Sequence, residues 1–446
     1  MTCQNMWLKL HPKKKIIINC GMMKVYLETH GCTFNQADGN IMATLLKEHH
    51  EMVNSIEEAD IVILNTCYVK LPTEQKMITK IEKIKNTFPE KIFIIAGCMV
   101  EVDPVRLNKF AGDNCWIGPH KIDKINDVVD KAVQGQIVHE FGKTSIIKAG
   151  KSNKDFNDLV HILQICEGCN GACTFCCTKN ARGFLISYPI EMIVDEAKQA
   201  VSNGCKELQV TAQDSACYGL DTGESFADLL DQLANIEGDF RIRVGMMHPK
   251  SLKGQLDEVI SVFKRNEKIY NFVHIPVQTG SPKVLKEMNR LHSLDEYKYM
   301  INNFKKEIPD LSVATDIIIG YPTETEEDFL QTLDLLYEIK PDIIHISKYM
   351  HRPGAKSNSL KEIEHKIMKE RSHRINEVKT EVMLENNKAL EGTLQKVLIT
   401  SKGSSGGFVG YTNSYKNVIV DDVRIGSFVD VKIVEGKRTY LYAEKI

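Results

Sequence analysis

The chain has 446 residues, of which 43% are hydrophobic and 26% charged, with a net charge of −2. That length implies about two to four domains with the composition of an ordinary soluble globular protein. Near-neutrality excludes nucleic-acid binding through overall charge, so any RNA contact must come from local patches, and no run of eighteen apolar residues is present to span a membrane. The N-terminal stretch carries Lys13, Lys14 and Lys15 and no apolar h-region, so no secretory signal is read there and Met23 is the expected start of the folded chain. A cytoplasmic location follows as the expectation. There the thirteen cysteines are not structural disulfides.

Residues 23–145 alternate strand and helix patterns. Lys24–Glu28, Ile61–Leu64 and Ile92–Ile95 are β-rich apolar runs, and Ile41–Glu48 and Glu74–Asn86 have helical periodicity. This rhythm predicts a doubly wound parallel sheet. Each strand is followed within a few residues by a cysteine: Cys32, Cys67 and Cys98, spaced 35 and 31 residues apart. Ligands of open α/β sheets sit at the carboxyl ends of the strands. Three cysteines at equivalent ends are therefore candidate ligands of one iron–sulfur cluster. The other reading is three small buried hydrophobes.

Residues 155–385 hold six further strand candidates: Val160–Ile165, Glu207–Thr211, Arg241–Gly245, Asn271–Ile275, Leu311–Ile319 and Ile343–Ser347. Helical stretches, Glu191–Asn203 the clearest, separate them, and a charge-rich helical connector, Asn358–Glu385, follows. The pattern predicts a partial (β/α)6 barrel. In the loop after its first strand stands Cys169-Asn-Gly-Ala-Cys173-Thr-Phe-Cys176. Active sites of βα barrels lie at that end of the strands. Zinc sites more often use paired CxxC units, and no second pair follows. Three closely spaced thiolates can hold three irons of a 4Fe–4S cube and leave the fourth open. The open iron can bind S-adenosylmethionine (SAM), whose reductive cleavage gives a 5′-deoxyadenosyl radical. Cys166, Cys177, Cys205 and Cys217 read as buried thiols, and Cys3, Cys20 and Cys115 as bystanders.

From residue 386 onward the period changes from helical to two, in Lys396–Thr400, Val418–Val420, Phe428–Val434 and Thr439–Ala443. A small β-barrel over 386–446 fits. This segment has nine Lys and Arg against six Asp and Glu. Tyr411, Tyr415, Tyr440 and Tyr442 interleave with Lys402, Lys416, Lys437 and Arg438, a composition suited to stacking and phosphate contact with RNA. A solvated strand face with core aromatics is the other reading.

With these residues in hand, the chain resembles the methylthiotransferases of the radical-SAM superfamily over nearly its whole length. Gly31-Cys32-Thr-Phe-Asn35 with Asp38-Gly39, Asn65-Thr66-Cys67-Tyr-Val69-Lys70 and Ala96-Gly97-Cys98 are similar to the family's auxiliary-cluster segments. Val69-Lys70 and the run Lys179-Asn-Ala-Arg182-Gly183 resemble the archaeal and eukaryotic branch. Bacterial relatives usually carry Glu soon after the Arg-Gly pair, where this chain has Phe184 and Leu185. The segments His274–Ser281, Asp316–Glu324 and Arg352–Gly354 resemble SAM and active-site loops.

The resemblance implies a TRAM-type RNA-binding barrel at the C-terminus. It implies two 4Fe–4S clusters, on Cys32, Cys67 and Cys98 and on Cys169, Cys173 and Cys176, with Phe175, Gln278, Asp316 and Arg352 near SAM. For Asp316 alone a plain strand-to-helix turn is an equal reading. The implied reaction is methylthiolation of C2 of N6-threonylcarbamoyladenosine beside the tRNA anticodon. The implied partners are that tRNA, an electron donor of ferredoxin or flavodoxin type and a sulfur donor, with no membrane and a monomeric chain. Two alternatives stay open: a methylthiotransferase for isopentenyladenosine tRNA or for a ribosomal-protein aspartate, and a non-catalytic iron–sulfur RNA-binding redox protein.

Overall fold

The computed structural model describes residues 22–152, 159–404 and 406–446. The expectations for Cys3, Cys20 and the segment before Met23 fall outside these residues. Two compact units are present. Among the described residues, the first comprises 22–152 with Glu167–Cys169 and Cys177–Tyr188; the second comprises 159–166, Asn170–Cys176 and the described residues from Pro189 to Ile446.

The first unit is built on a six-stranded parallel sheet. The order is Glu51–Met52, Lys24–Thr29, Ile61–Thr66, Ile92–Gly97, Cys115–Ile117 and His139–Glu140. The continuous apolar run Ile61–Leu64 is buried on both faces, as parallel strands are. Ile61 and Ile63 face one core with Ile41, Met42 and Val128. Val62 and Leu64 face the other with Met77, Ile81 and Trp116. Helix Thr33–Lys47 begins well before the predicted Ile41. Its first turns bury the polar Asn35 and Asp38 beside Phe34 and Ala37, and the polar positions interrupt the apolar pattern that marks the helix from Ile41 onward.

In the second unit all six predicted barrel strands form: Val160–Gln164, Glu207–Thr211, Arg241–Val244, Phe272–His274, Ser312–Ile319 and Ile343–Lys348. They stand in chain order as two parallel three-stranded sheets. Among the described residues an isolated bridge, Ile242 with Ile269, joins the halves. The connector becomes helix His365–Lys388. Beyond it, strands Leu394–Lys402, Phe408–Thr412, Asn417–Val420, Phe428–Gly436 and Leu441–Lys445 close into a five-stranded barrel. Its core is Val397, Ile399, Val418, Val420, Val431, Ile433, Leu441 and Ala443. Strand Phe408–Thr412 was not among the sequence expectations.

Two of the tyrosines, Tyr411 and Tyr415, are partly buried and pack against a core cluster, as the second reading of this segment has it. Tyr411 and Tyr415 stack on each other at 4.4 Å. Tyr415 lies 4.9 Å from Tyr270 and 5.1 Å from Phe272, at the start of a barrel strand. Lys416 is buried and bonded to Asp342 at 2.6 Å and Asn387 at 3.0 Å. The physical reason is that burying aromatic area under the amino ends of the strands outweighs leaving it in water. These groups fasten the small barrel to the floor of the large one.

Candidate functional site

In the first unit the register aligns the carboxyl ends that carry the cysteines. Asn65 pairs with Thr29 on one side and Ala96 on the other, and Thr66 pairs with Gly97. Cys67 follows its strand directly, Cys98 opens helix Cys98–Val102, and Cys32 is the N-cap of helix Thr33–Lys47. Two glycines permit the approach. At Gly31, φ +114°, a Cβ would stand 2.6 Å from that of Cys67. At Gly97, φ +91°, it would stand 2.5 Å from the Thr66 carbonyl oxygen.

Burial pushes the Cys67 thiol up, and that of Cys98 up to about 12. A metal ligated here must therefore displace protons from the sulfurs. Among the described residues, no set of three His, Cys, Asp or Glu side chains stands as ligands of a single ion. The thiolates of an iron–sulfur cube bind different irons and stand farther apart.

Behind these cysteines is a buried charge network. Arg182 donates to Asp38 at 2.5 Å, to Glu167 at 2.9 Å, to Asn35 at 3.0 Å and to the Cys98 sulfur at 3.3 Å. Lys148 donates to Asp38 at 2.8 Å and to Glu167 at 3.0 Å. All four charged side chains are nearly inaccessible. Two cations match two anions, which is what lets them be buried. Phe34 lies under both cations, its ring centroid 4.8 Å from the Arg182 guanidinium carbon. In the sequence Asp38 and Arg182 are only letters of the motifs above, and Lys148 and Glu167 carry no signal. No local spacing signals a contact such as Lys148 with Asp38, 110 residues apart.

Of the CxxxCxxC cysteines, Cys169 belongs to the first unit and Cys173 and Cys176 to the second. The Cys169 amide donates to the Gly183 carbonyl at 3.2 Å. In the second unit Thr174 fixes the loop. Its amide donates to Met288 at 3.1 Å, its hydroxyl to Glu287 at 2.9 Å, and its carbonyl accepts from Ser357. Tyr321 meets the Thr174 hydroxyl at 3.0 Å. Arg290, buried, donates to the Cys173 sulfur at 3.5 Å and the Pro276 carbonyl at 2.7 Å. Its neighbours Asn289 and Leu291 both have left-handed φ, +55° and +54°. Burial, then the Arg290 charge, holds His248 down at about 2. The same causes hold His292 at about 4. Both rings are neutral, and Arg290 is the cation beside the loop. It carried no sequence signal.

The expected SAM residues also lie in the second unit. Phe175 is half-buried in the cysteine loop. Gln278 follows its strand with φ +78°, its amide bonded to the Asp316 carbonyl at 2.9 Å. Asp316 sits within its strand rather than at its end and accepts from His274 at 2.6 Å. Arg352 is buried and exchanges backbone bonds with the Asn358 side chain at 3.0 and 2.6 Å. Cys166, Cys177, Cys205 and Cys217 are buried thiols, as is Cys115.

A split βα barrel with three cysteines after its first strand defines a radical-SAM protein. The "Radical SAM superfamily" model matches residues 163–336, "Uncharacterized protein family UPF0004" matches 24–118, and "TRAM domain" matches 388–446. A radical S-adenosylmethionine methyltransferase of Kitasatospora setae has the same fold over 75% of this chain and 74% of its own, with TM-score 0.52 and 11% identity. The "Probable threonylcarbamoyladenosine tRNA methylthiotransferase" of Methanothermobacter thermautotrophicus is 48% identical over 95% of this chain and 99% of its own. The human "Threonylcarbamoyladenosine tRNA methylthiotransferase" is 32% identical over 96% of this chain and 74% of its own. The chain belongs to the threonylcarbamoyladenosine tRNA methylthiotransferase family.

Proposed function

We infer that this protein transfers a methylthio group to C2 of N6-threonylcarbamoyladenosine in tRNA. The observation that carries the reading is end-to-end similarity to relatives named for this activity, in a chain that keeps the three-cysteine loop. A 4Fe–4S cluster with an open iron supplies an electron to SAM and so a carbon radical able to take the C2 hydrogen, which is not acidic. The chain's own residues do the rest. Cys169, Cys173 and Cys176 hold that cluster, Arg290 orients Cys173, and Thr174 pins the loop. Phe175, Gln278, Asp316 and Arg352 line the SAM side.

Cys32, Cys67 and Cys98 would hold a second cluster, which would supply the sulfur, and Arg182 orients Cys98. The donor set supports this assignment: three thiols at aligned strand ends with a guanidinium donating to one of them. An electron donor of ferredoxin or flavodoxin type and a separate sulfur donor complete the system. The target base is in a loop, where it can be splayed out and read by stacking and edge contacts. Among the described residues no helix is long and apolar enough to cross a membrane.

The test is mass spectrometry of nucleosides after anaerobic incubation of reconstituted protein with SAM, reductant, sulfide and the modified tRNA, with Cys173→Ala as control. The 2-methylthio nucleoside is expected with the wild type only. SAM cleavage without that product would move the activity to another substrate. No SAM cleavage by loaded protein would remove the enzyme reading.

A further inference from the structure

Helix Thr178–Arg182 ends on Gly183, φ +75°, whose amide closes the last turn on Lys179 at 2.9 Å. The left-handed exit turns the next residue outward. Phe184 is 69% exposed while Leu185 beside it is buried. Single exposed apolar side chains are common and mean nothing alone. Three observations set Phe184 apart. The Lys179 ammonium stands 4.4 Å from its ring centroid. The backbone here is tied to one set of ligand cysteines, with Gly183 accepting from the Cys169 amide at 3.2 Å and Gly168 packed so closely on Phe184 that a Cβ would stand 2.0 Å from its carbonyl oxygen. One residue earlier, Arg182 reaches the other set through the Cys98 sulfur at 3.3 Å. A second cation, exposed Lys143, has its Cδ 3.8 Å from where a Cβ on Gly183 would lie.

An aromatic ring open to solvent with a lysine against it, and a second exposed lysine near its backbone, is an arrangement that binds unpaired bases. The ring stacks on any base and the ammonium groups meet the phosphates. We propose that Phe184, with Lys179, is a stacking platform for an unpaired base of the anticodon loop that carries the target adenosine. The proposal rests on the tRNA reading above and adds where the loop docks on the first unit.

The test uses full-length, cluster-loaded protein and an anticodon stem-loop RNA bearing N6-threonylcarbamoyladenosine. The chain has two tryptophans, and Trp116 is buried, so Phe184→Trp adds a reporter read against the wild-type signal. Its added fluorescence should be quenched by the RNA in step with binding measured by anisotropy. Phe184→Ala should weaken binding roughly 5- to 150-fold and leave the slope of affinity against salt unchanged, because no phosphate contact is lost. Lys179→Ala should lower that slope by about one. The exposed ring makes the alanine variant a safe one to fold, and Phe184→Tyr should restore binding. Unchanged affinity in Phe184→Ala, or no quenching in a Phe184→Trp protein that binds the RNA, overturns the platform. If the wild type itself does not bind the stem-loop, the tRNA reading falls and the platform with it.

Discussion

Arg182 and Arg290 perform parallel tasks in the two units. Each is a buried guanidinium that donates to a cysteine sulfur. They differ in what else they satisfy. Arg182 balances two buried carboxylates with Lys148, so Arg182→Met leaves one anionic charge unmatched. The expected cost is about 3–5 kcal/mol, read as a lower guanidinium midpoint for the first unit. Adding Asp38→Leu should recover part of the loss, because it removes the stranded charge. Arg290 donates instead to the Cys173 sulfur and the Pro276 carbonyl. Arg290→Gln should leave the fold intact and make the bound cluster harder to reduce, since a positive charge and a hydrogen bond to its sulfur are lost. A redox titration followed by electron paramagnetic resonance would show a more negative midpoint. An unchanged midpoint would remove Arg290 from that role. Neither arginine was legible as functional in the sequence, because each acts across a distance that only folding closes.

Secondary structure was largely legible, for a plain reason: most elements bury apolar side chains at their own period. Helix Thr33–Lys47 shows the exception. Its first turns bury Asn35 and Asp38 among Phe34 and Ala37, and these buried polar positions break the apolar pattern. Helix Glu326–Ile339 is the ordinary case, closed by a Thr325 and Asp328 capping box. Burial raises the Asp328 carboxyl, but hydrogen bonds from Lys283, Ser281 and Thr325 outweigh it and hold the group well below the usual carboxylate range. A depressed carboxyl stabilises above its unfolded value and loses that contribution as pH falls through its folded value. Asp328→Asn should therefore cost about 1–2 kcal/mol at neutral pH. The gap from wild type in thermal unfolding should narrow in acid. The loop around Tyr415 joins the small barrel to the floor of the large one. Tyr415→Ala should cost about 3 kcal/mol and lower the first thermal transition. If the midpoint holds, the stacked tyrosines are a surface feature after all.

At the scale of the whole molecule, the proposed function requires both cysteine sets. Replacing Cys32, Cys67 and Cys98 together should abolish methylthio product while leaving reductive SAM cleavage, measured as 5′-deoxyadenosine. Product from the triple variant would end the assignment of the second set. The sequence by itself determined the three segments, their fold classes, the six candidate ligands and the family, because strand and helix periods, cysteine spacing and motif order are properties of neighbours along the chain. It could not determine that Glu167–Cys169 and Cys177–Tyr188 pack with the first unit while Cys173 and Cys176 fold with the second. Nor could it find the Arg182 network or turn Tyr415 inward. Those outcomes were decided by the tertiary structure, because pairing buried charge and excluding water from aromatic faces depend on which distant segments meet, and period and spacing carry no record of that.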